Sequence, residues 1–162
     1  VEVPEQRQIG LDEYETIMVK KYVYDEMLIK PKYQTEESIL DWMRENKIKE
    51  ITKYDSSDHV NVFYFGGVKM WLDKATRAGL ITRFTSAQSV GEETTTLWYG
   101  NMSFTMPIST AFSVLYAIEN YASKCYDVTA SHKKDVESLT TLEDIFNYDI
   151  KQGYPQVLKF NL

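Results

Sequence analysis

Cys125 and His132 stand seven residues apart, a spacing that puts a thiol and an imidazole on nearly one face of a straight helix. Such a pair can share a metal or work as nucleophile and base. Two ligands do not complete a metal site, however, and seven residues of helix separate the two by about 10 Å, where a catalytic pair needs about 3 Å. Because they share a stripe with Leu115, Ala122 and Val136, both are expected to face the core or a partner helix and to hold no metal. Ser131, His132 and Asp135 supply the residue types of a catalytic triad, but three positions so close on one helix point in directions that do not converge on a substrate.

The other reactive side chains are more dispersed. His59 is alone on the approach to a hairpin and reads as a surface or turn residue. Asp12, Glu13 and Glu15, and the pair Glu92-Glu93, could attract a divalent cation, yet acids beside turns are ordinarily just solvated. Gly66-Gly67 and Gly100 lack the Lys-Ser/Thr that a phosphate-cradling loop requires. No catalytic, cofactor-binding or metal-binding residue is assigned, and the chain is expected to bind or assemble without a cofactor rather than to catalyse.

Composition narrows the class of partner. Lys and Arg total 18 against 24 Asp and Glu, for a formal net charge of −6, whereas nucleic-acid binders carry the opposite imbalance or a basic stripe. The basic pairs, Lys20-Lys21 and Lys133-Lys134, sit beside acidic or apolar neighbours and read as solvated faces. The aromatic share of 14%, led by 12 Tyr, suits half-buried sheet faces and protein interfaces. Trp42, Trp71 and Trp98 fall on a helix and two strands, and Trp71 and Trp98 are expected to anchor the sheet as buried residues. An exposed aromatic face for sugar or protein is the alternative. Apolar runs stay short of the ~18 residues that span a bilayer, and no charged-then-apolar leader opens the chain, so a soluble protein is expected.

The elements that must position these residues follow from local patterns. Residues 1–15 read as an extended N-terminal arm, 16–59 as a strand-helix portion and 60–162 as the main α+β region. A strand is predicted from Thr16 to Tyr24, and a helix over 36–46 with Thr35 as its N-cap and Asn46 as a C-cap. Val60 to Phe65, Gly66-Gly67 and Val68 to Leu72 form a β-hairpin signal. Asp73 caps a helix that Gly91 ends. Thr94 to Tyr99 and Met102 to Met106 flank Gly100-Asn101 as a second hairpin. Pro107 breaks that strand, Ser109 or Thr110 caps one long helix or two abutting ones of about 28 residues in all, and either the chain bends at Val128-Thr129 or the helix protrudes to meet a partner. Thr140 and Glu143 make a capping box for a short helix, and Val157 to Leu162 alternates like a strand seeking a sheet edge, its own or a neighbour's. The order is that of an α+β domain with two β-hairpins and a long C-terminal helix, not a doubly wound parallel sheet. Residues 1–12 and 156–162 are expected to make much of the contact with partners.

A set of landmarks recurs in order: Trp71-Leu-Asp-Lys-Ala-Thr-Arg77-Ala-Gly-Leu80, Glu93-Thr-Thr-Thr-Leu-Trp98-Tyr, Glu119-Asn-Tyr-Ala122, Cys125-Tyr126, Thr129 and His132-Lys133. Leu139-Thr-Thr-Leu-Glu-Asp, Tyr148-Asp149 and Gly153-Tyr-Pro155 complete it. The set resembles an uncharacterised domain of proteins encoded by tailed bacteriophages and prophages of Bacteroides-type hosts, often beside tail and tail-fibre genes. The resemblance covers about residues 60–160. It implies no catalytic residues and a virion structural or adaptor protein connecting tail, fibre, baseplate or neck. It further implies other virion proteins as partners, a homo-oligomer or symmetric ring or fibre, and residence in the virion and, during assembly, the host cytoplasm. A carbohydrate- or receptor-binding module using exposed aromatics is the competing expectation.

Overall fold

In the computed structural model, the described residues are 2–8 and 14–20, as backbone, and 35–161 with their side chains. By packing, the chain forms two units, 1–42 and 43–162. In the first, β1 (Glu2–Gln8) pairs antiparallel with β2 (Tyr14–Lys20), Val3 opposite Val19 and Gln8 opposite Tyr14. The arm expected at the start is thus a strand over Glu2–Gln8. Pro4 is compatible with this because both strands of a two-stranded ladder are edges, where a missing N–H is tolerated. The strand predicted to reach Tyr24 overlaps β2, and its last four residues lie outside the described ones.

Helix α1 (Glu36–Asp55) starts as expected: Thr35 Oγ1 accepts from the Ser38 N–H at 3.2 Å, and Ser38 Oγ accepts from the Thr35 N–H at 3.1 Å. It does not stop at Asn46. The following Lys47 to Asp55 contains no Gly or Pro, and Ile51 is fully buried, so packing carries the helix nine residues past the expected cap. Arg44 reinforces this stretch by donating from Nη2 to the Leu139 carbonyl at 2.6 Å, and Lys47 donates to the Phe146 carbonyl.

The first predicted hairpin is present as β3 (Phe63–Phe65) and β4 (Val68–Met70). Its turn residues Gly66 and Gly67 have φ of 55° and 80°, a left-handed pair that only Gly adopts without strain. Asp73 caps α2 (Lys74–Ser89), its Oδ1 accepting from the Thr76 N–H at 2.7 Å. At the other end Gly91, at φ 83°, lets its own N–H reach the Gln88 carbonyl while Glu92 N–H reaches Ala87, a Schellman closure.

The second hairpin pairs β5 (Thr94–Tyr99) with β6 (Met102–Pro107) around Gly100-Asn101. Helix α3 (Ile108–Ser138) follows at once, with Pro107 as its N-cap residue and no side-chain cap. Neither Ser109 nor Thr110 caps it, because the helix begins one residue after the proline whose fixed φ already suits that entry. The 31 residues form one helix, and the bend expected at Val128-Thr129 does not interrupt it. Thr129 is buried and spends its hydroxyl on Asp55 Oδ1 and the Tyr154 hydroxyl, both at 2.8 Å, rather than on its own helix. The short helix α4 (Leu142–Asn147) is capped by Thr141, whose Oγ1 accepts from the Asp144 N–H. The capping pair is therefore one residue later than the expected Thr140 and Glu143.

The last strand among the described residues is β7 (Lys159–Phe160), parallel to β3. The Tyr64 and Gly66 N–H groups donate to the Leu158 and Phe160 carbonyls, both at 2.9 Å, giving the sheet order β4-β3-β7. Of the two sheet edges expected for the tail, its own and a neighbour's, it takes the first: through Phe160 the tail is bound to its own sheet.

Burial explains the layout. Ile108, Ala111, Leu115 and Ile118 on α3 pack with Phe63, Phe65, Met70, Phe84 and Met106 from both hairpins and α2. Phe65 and Phe104 meet edge to face, with centroids 5.0 Å apart, and join the two hairpins. Farther along α3, Tyr121 and Cys125 pack with Val60, and Thr129, His132 and Val136 continue the buried stripe. The architecture is α+β, as the order of elements implies.

Candidate functional site

Three places in unit 43–162 bring chemically able side chains together. The first is a cleft of about 440 Å³ between the start of α2 and the middle of α3. Arg77, only 6% exposed, is its inner wall. Its Nε donates to Glu119 Oε2 at 2.5 Å, its Nη1 donates to the Leu72 carbonyl at 2.7 Å, and its guanidinium carbon lies 5.6 Å from the Trp71 ring centre. A guanidinium forks naturally between a carboxylate, a carbonyl and an aromatic face. Because the Glu119 side chain keeps 43% of its exposure, the pair is half solvated and its net contribution is modest. Asp73 is held below the ordinary carboxylate range by its bond from the Thr76 N–H, so the charge facing the cleft from that corner is negative. Lys74 stands beside Asp73 on the same wall, and Asp55, Asn61, Ser123, Asp127 and the exposed Tyr126 are among the other lining residues.

The second place is the far half of α3. Cys125 and His132 are both buried, as expected from their stripe. Burial pushes the Cys125 thiol up, which disfavours the thiolate that a nucleophile or metal ligand must be. Both ring nitrogens of His132 are engaged, Nδ1 with the Tyr148 hydroxyl at 2.8 Å and Nε2 with the Gln152 carbonyl at 2.9 Å. Neither is left for a metal or a thiol. Ser131 is exposed while His132 is buried, so those two diverge. Asp135, by contrast, does connect to His132, through the Tyr148 hydroxyl, 3.1 Å from Asp135 Oδ2. Sequence reasoning missed Tyr148 and Gln152 as its partners. The available signal was the pair of tyrosines around Gly153, whose φ of 80° turns the chain back beside Val128.

The third is the outer face of the β5-β6 hairpin. Thr95, Leu97, Tyr99, Phe104 and Met106 turn inward, and Thr94, Trp98, Ser103 and Thr105 turn out. Trp98 is 67% exposed, which corrects the expectation of a buried anchor. Trp71 is half-buried against Tyr121, just beyond β4. The two-residue period allows only one of Leu97 and Trp98 to face the core, and the inward row of β6 selects Leu97. On the outer face the Thr96 and Thr105 hydroxyls bond across the ladder at 2.8 Å, and Arg83 donates to the Thr96 carbonyl at 3.0 Å.

The remaining candidates do not converge. His59 is exposed and stacked on Tyr54, with centroids 5.8 Å apart. Glu92 and Glu93 are exposed at the entry to β5. Asp12 and Glu13 lie outside the described residues. Among the described residues no three His, Cys, Asp or Glu are placed to hold a metal, and no helix is long and apolar enough to cross a membrane.

No family model, curated protein or solved structure matches the chain.

Proposed function

We propose that this chain is a non-enzymatic structural or adaptor component of a bacteriophage virion, joining tail, fibre, baseplate or neck proteins through protein–protein contacts as a homo-oligomer or ring. The observation that carries the binding role is Trp98, 67% exposed on the outer face of the β5-β6 hairpin. A large apolar ring left in water is the kind of residue that dominates protein interfaces once covered. The ordered landmarks from Trp71 to Pro155 support the phage setting, and the acidic charge speaks against nucleic acid. On this reading the partners are other virion proteins, met in the host cytoplasm and retained in the particle.

Sedimentation of the purified chain, alone and with the products of neighbouring genes, tests the proposal. The expected result is a discrete oligomer or complex that Trp98→Ala weakens at least tenfold, while the variant's stability changes by less than about 1 kcal/mol. A chain that stays monomeric in every mixture, or a complex indifferent to Trp98, would rule this interface out.

One observation favours the competing carbohydrate reading. The cleft beside Arg77 combines Trp71 and Tyr126 with Asn61, Asp55 and Asp127, the mixture of ring and hydrogen-bonding groups that a sugar needs. Tyr126 is 72% exposed and free to stack. If that reading holds, Tyr126→Ala abolishes retention on the glycan that the parent protein binds in a glycan-array screen. Absence of any bound glycan at millimolar concentrations removes it.

A further inference from the structure

Three polar contacts run in series along the far half of α3: the Gln152 carbonyl to His132 Nε2, His132 Nδ1 to the Tyr148 hydroxyl, and that hydroxyl to Asp135 Oδ2, at 2.9, 2.8 and 3.1 Å. Each contact is a hydrogen bond only if one hydrogen lies in it. A carbonyl and an ionised carboxylate have none to give, a phenol has one and a neutral imidazole has one. Three contacts therefore share two hydrogens. The carbonyl forces the imidazole hydrogen onto Nε2, so Nδ1 must accept from Tyr148 and Asp135 is left facing phenol lone pairs. Burial is the larger cause that pushes the Tyr148 phenol up to about 12, so the phenol keeps its one hydrogen.

We propose that the series is a proton-operated latch, in which uptake of one proton closes all three contacts and clamps the segment after α4 onto α3. The proton fits at either end. On the imidazole it gives Nδ1–H to the Tyr148 oxygen and frees the phenol to donate to Asp135. On Asp135 it donates to Tyr148, which then donates to Nδ1. The groups facing the site are Tyr148 and Asp149 after α4, Tyr154 with its ring 5.8 Å from the imidazole, Asp135 on α3, and Asp55 of α1 through Thr129 and Tyr154. The clamped segment leads directly into β7, so the latch sits at the root of the strand that completes the β4-β3-β7 sheet. A folded site that holds one proton more than the unfolded chain contributes stability that fades as pH rises.

Asp135→Asn tests the latch, because an amide Nδ2 brings the missing hydrogen permanently. Asp135 is exposed, so the substitution is compatible with folding. At about pH 8 the variant is expected to melt about 2 °C above the parent protein, and the gap should close on acidification to about pH 5. Nitrogen chemical shifts should show the Nε2–H tautomer of His132 throughout that range in the variant. Removing a negative charge from the last turns of α3 could raise the melting temperature by itself, so the comparison is repeated with Tyr148→Phe, which cuts the series. In that background the gain from Asp135→Asn should vanish. A gain that survives there, parallel melting curves across the pH range, or a variant that melts below the parent at about pH 8 would each overturn the latch.

Discussion

Deleting residues 156–162 is expected to destabilise the 43–162 unit by about 3–5 kcal/mol, through loss of three half-buried apolar side chains, Val157, Leu158 and Phe160, and a strand pairing. Leu158 and Phe160 pack on the main core, and Phe160 lies against both Phe63 and Phe65, with ring centroids 6.1 and 5.9 Å apart. Without β7 the Tyr64 and Gly66 N–H groups lose their acceptors, and β3 becomes an edge strand open to pairing with other chains. Urea unfolding of the truncated protein measures the loss, and increased self-association should accompany it. A loss below about 1 kcal/mol would mean that the tail is held only weakly and is available to a partner after all.

Ile51→Ala should cost about 3–4 kcal/mol, in the range for emptying a fully buried aliphatic site. The neighbouring exposed Lys49→Ala should stay within about 0.5 kcal/mol. The contrast tests the nine residues of α1 beyond Asn46: were they a surface loop, both substitutions would be nearly silent. Equilibrium denaturation of the two variants decides it, and equal small effects would return the helix end to Asn46.

These two expectations fall where local signals were insufficient. Asn46 can end a helix, but nothing within a few residues obliges it to. The decision came from Ile51, which reaches full burial only if the helix continues. The tail shows the same division: its alternation announced a strand, while the choice of β3 as its parallel partner rests on contacts almost a hundred residues away in sequence. Tyr148 and Gln152 were likewise invisible as partners of His132, because they reach it only after α4 and the turn at Gly153 bring the chain back along α3.

What the sequence by itself determined are features whose physics is complete within one turn of chain. Asp73 meets its own Thr76 N–H, Gly66-Gly67 and Gly91 adopt backbone angles other residues resist, and the stripe from Ala111 to Val136 gives α3 one buried face. The α+β class followed from the order of such features. Tertiary structure alone decided which residues of equal local standing went inside. Leu97 and Trp98 are adjacent on one strand and equally apolar, and strand geometry sends them to opposite faces. Leu97 and Phe104 are cross-strand partners, so they share a face, and that face is the one turned toward α2 and α3. The largest aromatic on that strand was left in water because its neighbour had already taken the core side.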